Sequence, residues 1–402
     1  MKGIAQIHYG IQDMNKKWIK RTGVVLGVLF LICSIIAGAV FLFVIKRPSR
    51  SNDFRQAKLG KWNRIDLDGN TISADGSEYY IFTKRGEQSA ENNWIIYLSG
   101  GGMNWDETST AEPISLKTML KGGGLTYFAN IPFYKLTMMK GILEEGNERN
   151  PFVNWNYLYI PYSTGDFHIG NNSVQYRKNG KTYESYHNGR NNVLAALEWF
   201  QQNSGTPNNI FICGESAGGF GAAFWTPYIA EIYPQARLFE YTDSSYIRTD
   251  RWKDIIDSHW NADFEENYGF EPEADLITAT FAHNALAYPN ITFLQSNTLY
   301  DNLLIDFQKR LNDNEIVNAE YKDIWSKQML ASAQLLAAKF NNYHYFLTDY
   351  SLDSKAGTTV HTLSSSDDFY KANEDGIYLC DWLYSAVAEK DVKNVGNDFI
   401  ER

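Results

Sequence analysis

A short stretch of small residues around one serine carries the strongest chemical signal in this chain. Residues 214–218 read GESAG, with Ser216 at the centre and the apolar run 210–213 directly before it. This is the small-x-Ser-x-small form of a nucleophile elbow, in which a strand turns abruptly into a helix. The flanking glycines are needed because side chains there would collide with neighbouring backbone. The next amide, that of Ala217, would stand at a helix N-terminus, where an oxyanion is stabilised.

A second glycine-rich stretch fits the same chemistry. Gly100, Gly101 and Gly102 follow the apolar run 94–98. This arrangement matches the loop that supplies the second oxyanion-hole amide in α/β-hydrolases. The alternative, a phosphate-binding turn, is disfavoured because no Lys-Ser/Thr pair follows and the dinucleotide spacing is absent. The amides of the three glycines and of Ala217 are therefore the candidate oxyanion hole.

A nucleophilic serine needs a base, and α/β-hydrolases place it last, in the order Ser, Asp or Glu, His. His361 lies in the polar loop 357–362, beyond the last apolar run, 343–347, and is the favoured base. The other histidines that follow the serine lie within predicted strands or helices: His259, His283 and His344.

The acid that orients this histidine should follow the preceding strand. Residues 290–294 form such a strand, and the chain then reaches Asp301, which is the favoured acid. Asp306 is the near alternative, and Asp243, after the strand before, is a third. A buried acid of this kind holds the imidazole tautomer and stabilises the imidazolium.

Three further residues are candidates for substrate contact. Asp166 and His168 lie in the glycine-flanked loop 165–170, after a predicted strand, and Trp105 follows the glycine loop. They could contact acyl or sugar groups. The alternatives are that the aspartate caps its own loop, as is common in turns, and that the aromatic side chain belongs to the core.

The elements that must position these residues alternate along the chain. An antiparallel hairpin is predicted between residues 61 and 86. Helix-like segments such as 191–202 and 324–340 then separate continuous apolar runs. Such runs indicate buried, parallel strands, so we expect an α/β-hydrolase-like, mainly parallel sheet with helices on both faces. The predicted strands are residues 94–98, 157–162, 210–213, 238–241, 291–294 and 343–347.

The N-terminal part has a different composition. Residues 22–45 carry no charge and are long enough for a transmembrane helix, whereas a cleaved signal peptide would have a shorter apolar core. We therefore expect a basic tail at 1–21, an uncleaved anchor at 22–45, a linker at 46–60 and a catalytic domain at 61–402. The excess of basic residues before the anchor favours an extracytoplasmic catalytic domain at the cell membrane.

Charge and cysteine content exclude several classes of function. Residues 51–402 contain 29 basic and 46 acidic residues, a net charge of −17, which disfavours binding to nucleic acid. Beyond the predicted anchor only Cys213 and Cys380 are present, so neither a disulfide framework nor a cysteine-based zinc site is available. The predicted chemistry needs no metal and no cofactor.

Several of these stretches resemble the pectin acetylesterase and Notum family of carboxylesterases, in the form found in bacteria. GGGMNW is one of them, and the most specific are GESAGG at 214–219, NWN at 154–156 and IPYSTGD at 160–166. The resemblance covers about residues 94–361. It implies Ser216 as nucleophile, Asp301 as acid and His361 as base. Family members often have Trp-Cys where this chain has Met103-Asn104, and many have cysteine at Ser163, which leaves the shape of the pocket open.

These observations together predict a serine hydrolase. The expected reaction is removal of acyl groups, chiefly O-acetyl, from a polysaccharide or a small ester through an acyl-enzyme. The negative charge disfavours anionic pectin and favours a neutral or sparsely charged glycan. The alternatives are a lipid-type deacylase resembling Notum and a non-catalytic binding protein on the same fold.

Overall fold

The computed structural model describes residues 22, 25–26, 28–35, 38–39, 45–87, 92–115, 126–178, 180–316, 318–388 and 391–401. The chain divides into a small unit, residues 1–47 with 133–138, and a large unit, residues 48–132 with 139–402. Every residue predicted to do chemistry belongs to the large unit.

The small unit contains the segment predicted as a membrane anchor. Across the described residues, no helix is long and apolar enough to cross a bilayer, so the anchor at 22–45 is not supported. Positions 23–24, 27, 36–37 and 40–44 of that segment lie outside the described residues, as does the predicted tail 1–21.

The large unit is built on one sheet. Nine strands within the described ranges pair in the order β1-β2-β3-β5-β4-β8-β9-β10-β11. All pairs are parallel except β2 with β3 and β3 with β5. The strands are β1 (Ser49–Arg50), β2 (Trp62–Asp66), β3 (Tyr80–Lys84), β4 (Asn93–Leu98), β5 (Asn156–Ile160), β8 (Asn209–Glu215), β9 (Arg237–Asp243), β10 (Thr292–Thr298) and β11 (Tyr343–Thr348).

This sheet confirms the predicted mainly parallel α/β architecture. Each of the six strands predicted from apolar runs is present, and the antiparallel pair predicted between residues 61 and 86 is β2 with β3. Strand β1 lies within the segment predicted as a linker. Two hairpins outside the sheet were not predicted: β6 (Asn172–Lys178) with β7 (Lys181–His187), and β12 (Asn373–Glu374) with β13 (Ile377–Tyr378).

Helices separate the parallel strands, as the sequence pattern indicates. The helices are α1 (Glu107–Thr110), α2 (Lys135–Met138), α3 (Gly189–Asn203), α4 (Ala217–Ile232), α5 (Phe264–Tyr268), α6 (Leu276–Ala287), α7 (Asn302–Leu311), α8 (Asn318–Lys339), α9 (Leu379–Val387) and α10 (Asn397–Ile400). Three short 3₁₀ turns and one π-helical turn are also present: Phe54–Gln56, Gly141–Leu143, Asp367–Tyr370 and Asp254–His259.

The middle strands of the sheet are buried on both faces. Every residue of β4 and of β5 is buried, and successive side chains of a strand point to opposite faces. Helix α4 packs against β4, β8 and β9, and α8 packs against β11. Because the register aligns Glu215 with Asp243, and Asp243 with Ser296, the parallel strands end at one common edge. Loops that leave this edge can therefore bring side chains together.

Candidate active site

Ser216 is the single residue between strand β8 and helix α4. Its backbone angles are φ 53° and ψ −127°, a conformation that costs a non-glycine residue about 1–3 kcal/mol. Hydrogen bonds at its amide and at its carbonyl hold the main chain of Ser216 in place. The Ser216 amide donates to the Asp243 carbonyl at 2.8 Å, and the Ser245 hydroxyl donates to the Ser216 carbonyl at 2.9 Å. The predicted nucleophile is thus fixed in a strained turn at the edge of the sheet.

Two glycines make this turn sterically feasible. A Cβ at Gly214 would clash with the Gly218 carbonyl, and a Cβ at Gly218 would clash with the Leu98 carbonyl of β4. Helix α4 therefore starts in direct contact with the neighbouring strand. The spacing of two residues on either side of Ser216 follows from these backbone contacts.

His361 and Asp301 meet at the same edge. Imidazole Nδ1 of His361 lies 2.7 Å from Oδ2 of Asp301. Because a carboxylate only accepts, Nδ1 carries the proton and Nε2 keeps a lone pair with which to act as a base. A parallel β-bridge between Asp301 and Thr359 holds the histidine loop beside the start of α7.

Asp301 is fully buried and serves as the N-cap of helix α7. Its Oδ1 accepts from the amides of Leu303 and Leu304, each at 3.0 Å. The capping bonds orient the carboxylate so that Oδ2 remains for the histidine. Asp306, the near alternative, instead lies on the partly exposed side of α7 and pairs with Arg310 at 3.8 Å. Of these two carboxylates, only that of Asp301 reaches His361.

Asp243, the third alternative, holds the loop that follows the histidine. Its Oδ2 accepts from the amides of Leu363 and Ser364, both at 2.7 Å, and from the Ser364 hydroxyl at 2.8 Å. Its Oδ1 accepts from the Ser296 hydroxyl at 2.8 Å. The carboxylate is fully buried and its donors are protein groups. Asp243 therefore anchors the loop, a function that the sequence did not indicate.

The surroundings of His361 favour its protonated form. Burial lowers the pKa of His361, but the carboxylates of Asp301, Asp243 and Glu215 together raise it more, so the pKa lies above its ordinary value of 6.5. Its side chain keeps 16% of its surface exposed. A histidine with these properties can take up a proton and hold it.

The glycine loop lies directly against Ser216. A Cβ at Gly100 would stand 2.8 Å from the Ser216 Cβ, so only glycine allows this approach. The Gly100 amide donates to Oε1 of the buried Glu215 at 3.1 Å, which fastens the loop to the end of β8. Glu215 was not predicted to have a function, although it lies inside the serine motif.

The other amides of the candidate oxyanion hole differ from that of Gly100 in their hydrogen bonding. In the part of the chain that the structure describes, the amides of Gly101, Gly102 and Ala217 donate to no protein acceptor. The Ala217 amide is the first of α4, where the helix dipole favours negative charge. These three amides are available to an oxyanion, whereas that of Gly100 is bonded to Glu215.

Comparison with known proteins covers part of the segment that carries these residues. The family model "Pectinacetylesterase" matches residues 66–262, a range that includes the glycine loop and Ser216 but ends before Asp301 and His361. Two Arabidopsis thaliana proteins are similar: Pectin acetylesterase 4 is 29% identical over 111 residues, and Pectin acetylesterase 7 is 34% identical over 101 residues. These alignments cover 27% and 25% of this chain, and the chain spans about a quarter of the length of each relative.

A solved structure shares the fold. The Drosophila Wnt deacylase Notum superposes with a TM-score of 0.55 and 17% identity, covering 82% of this chain and 95% of that chain. This chain is therefore similar to the pectin acetylesterase and Notum family, whose model matches residues 66–262. Its mainly parallel sheet is accordingly the Notum-like hydrolase fold.

Asp166 is a capping residue of its own loop. It is fully buried, and its carboxylate accepts from the Thr164 hydroxyl at 2.7 Å and from the amides of His168 and Gly189 at 3.1 and 2.9 Å. Burial raises its pKa to about 6, although these donors favour the charged form. The carboxylate presents no exposed surface to a substrate, so the contact predicted for it is not available here.

His168 is buried as well. Its Nε2 lies 2.9 Å from the Ser99 carbonyl, and burial lowers its pKa to about 4. The neutral ring packs against Tyr162, with 4.8 Å between ring centroids. Its place is therefore beneath the site, in the packing that supports the glycine loop, and not on a surface that a substrate could reach.

Trp105 lies beside helix α7. Its ring meets Phe307 edge to face at 6.0 Å, and the Arg310 guanidinium lies 5.1 Å from the ring centroid. Only 7% of Trp105 is exposed. The side chain borders an open, polar cleft between the loop at 105–109 and the end of α7.

Potential metal ligands are not clustered in the part of the chain that the structure describes. Within the described ranges, no set of three or more His, Cys, Asp or Glu side chains could hold a metal ion. Of the residues predicted to do chemistry, the structure pairs Asp301 with His361 and sets the glycine loop against Ser216, and it buries Asp166 and His168.

Proposed function

We propose that this chain is a serine carboxylesterase in which Ser216 is the nucleophile, His361 the base and Asp301 the orienting acid. The bond between His361 Nδ1 and the buried, capped Asp301 carboxylate carries this proposal, because it leaves Nε2 as the free base at the edge where Ser216 lies. The strained turn at Ser216 supports it, since strain of this kind is typical of functional sites.

The reaction proceeds in two steps through an acyl-enzyme. His361 Nε2 accepts the Ser216 hydroxyl proton as Oγ attacks the ester carbonyl carbon, and the resulting imidazolium returns the proton to the leaving alcohol. Water then attacks the acyl-enzyme with the same base, which releases the acid and restores the Ser216 hydroxyl. Asp301 stays ionised throughout and stabilises the imidazolium.

Backbone amides hold the tetrahedral oxyanion. Across the described residues, the amides of Gly101, Gly102 and Ala217 have no protein acceptor, and they belong to the glycine loop and to the start of α4. We assign the oxyanion to the Ala217 amide and to the glycine loop. The Gly100 amide has a different role, since its hydrogen bond to Glu215 fixes the position of the loop.

The substrate we propose is an O-acetylated polysaccharide or a related small ester. The names of the similar plant proteins, pectin acetylesterases, describe acetyl esters of a polysaccharide. The net charge of −17 over residues 51–402 opposes an approach by polyanionic pectin. A neutral or sparsely charged acetylated glycan fits this chain better.

A series of nitrophenyl esters tests the proposed activity. We expect the purified chain to hydrolyse the acetate and to turn over the octanoate more slowly. Faster hydrolysis of the octanoate would instead support the lipid-type deacylase. Absence of hydrolysis across all chain lengths would reject the esterase proposal in favour of a binding protein.

The rate of hydrolysis should fall in acid as His361 becomes protonated. The base is active only when neutral, and its carboxylate neighbours raise its pKa above 6.5. We therefore expect kcat/KM for nitrophenyl acetate to rise with pH through a pKa above about 6.5, the ordinary histidine value. Replacing His344, a strand residue, with Gln is the control and should leave this profile unchanged. If kcat/KM instead rose through a pKa well below 6.5, the assignment of His361 as the base would be contradicted.

A further inference from the structure

Asn104, two residues beyond the glycine loop, is fully buried and held at three of its atoms. Its amide donates to the Gly165 carbonyl at 3.0 Å, and its carbonyl accepts from Trp260 Nε1 at 2.8 Å. Its side-chain Oδ1 lies 3.2 Å from His259 Nε2. Asn104 is thus attached to the loop after β5 and to the end of the π-helical turn Asp254–His259.

His259 reaches Asn104 from a fixed position. Because the Asn104 side-chain oxygen only accepts, His259 Nε2 donates this bond. The same nitrogen lies 3.4 Å from the Thr110 hydroxyl. The His259 carbonyl also accepts from Asn172 Nδ2 at 2.9 Å, which ties the turn to strand β6.

A second histidine, His187, packs against the ring of His259. His187, at the end of β7, is fully buried, and its ring meets that of His259 edge to face at 4.7 Å. Burial, and then the neighbouring His259, lower the pKa of His187 well below its ordinary value, and the Thr164 carbonyl offsets only part of this. The neutral His187 therefore acts as a packing surface.

The glycine loop needs such external attachments. Three successive glycines have no side chains to restrict their backbone, so their conformation is set by what the flanking residues bind. On one side, the Gly101 carbonyl accepts from the Phe128 amide, and the Met103 amide donates to the Thr126 carbonyl, both at 2.9 Å. Asn104 supplies the next attachment along the chain.

We propose that His259, acting through Asn104, is a positioning residue for the Gly101 and Gly102 amides of the oxyanion hole. The inference rests on the proposed esterase function and extends it to a residue outside the catalytic group. Oxyanion donors act chiefly on the transition state, and loss of one costs about 10²–10³ in kcat. A displaced donor should cost less than a deleted one, and it should leave substrate binding nearly unchanged.

The variant His259→Leu tests this proposal, with nitrophenyl acetate as substrate and kcat expressed per molecule labelled to completion by a fluorophosphonate. We expect kcat to fall about 10- to 100-fold while KM changes less than about 2-fold. His259→Gln, whose side-chain amide can still donate to Asn104, should recover most of the rate. His283→Leu is the matched control, since that ring stacks on Phe270 away from Asn104 and its loss should not change kcat.

The outcomes separate this inference from the esterase proposal. Full kcat in His259→Leu, or equal losses in the Leu and Gln variants, would overturn the positioning role while the wild-type rate upholds the esterase. A wild-type chain that hydrolyses no ester and takes up no fluorophosphonate would overturn both. Counting only labelled molecules keeps the test valid even if part of the variant fails to fold.

Discussion

Replacing Ser216 with alanine is expected to abolish hydrolysis of nitrophenyl acetate and covalent labelling by a fluorophosphonate. In the proposed mechanism this hydroxyl attacks the ester, and loss of a serine nucleophile lowers kcat by about 10⁴-fold or more. Alanine keeps the Cβ that the turn already accommodates, and the backbone bonds to Asp243 and Ser245 do not involve the hydroxyl. The fold should therefore persist, and circular dichroism can verify this.

Ser204 provides the matched control for this substitution. Ser204 follows helix α3, and its hydroxyl forms a hydrogen bond with the hydroxyl of Tyr233, which follows helix α4. Both residues lie away from the sheet edge that carries the site. Ser204→Ala should retain both labelling and hydrolysis. If Ser216→Ala were labelled as fully as the wild type, a different nucleophile would have to be sought.

Replacing Asp301 with asparagine is expected to lower kcat by about 10⁴-fold. Asparagine can keep the capping bonds from Leu303 and Leu304 through its side-chain oxygen, so helix α7 should remain intact. Its amide group, however, would donate to His361 and so impose the wrong tautomer on the ring. The measurement is kcat for nitrophenyl acetate, together with the melting temperature as a check on folding.

Asp306→Asn is the matched control, because it makes the same chemical change five residues along the chain. That carboxylate is partly exposed and pairs with Arg310, an interaction worth little at a surface. We expect its kcat to stay within about 2-fold of the wild-type value. A large loss in this variant together with an active Asp301→Asn would transfer the role of the acid to Asp306.

The central sheet could be predicted because its strands are buried on both faces. Burial of this kind gives continuous apolar runs such as residues 94–98, which need no knowledge of their neighbours to be recognised. The edge strand β1 and the hairpin of β6 and β7 were missed for the opposite reason. Strand β6 alternates between half-buried and exposed residues, and β1 has only two residues.

The serine motif could also be predicted, because its glycines are required by close backbone contacts between β8, α4 and β4. The choice among Asp301, Asp306 and Asp243 could not be made from spacing alone. It depends on the bridge between Asp301 and Thr359, which joins segments about 60 residues apart in the chain. Similarly, loop residues such as Asp166 look available in the sequence, and only tertiary packing shows that they are enclosed.

Asp243 joins the two halves of the proposed catalytic apparatus at a single residue. Its carbonyl holds the amide of Ser216, and its carboxylate holds the amides of Leu363 and Ser364 just beyond His361. A substitution at Asp243 is therefore expected to disturb the positions of Ser216 and of the histidine loop together, even though Asp243 takes no part in the proposed proton transfer.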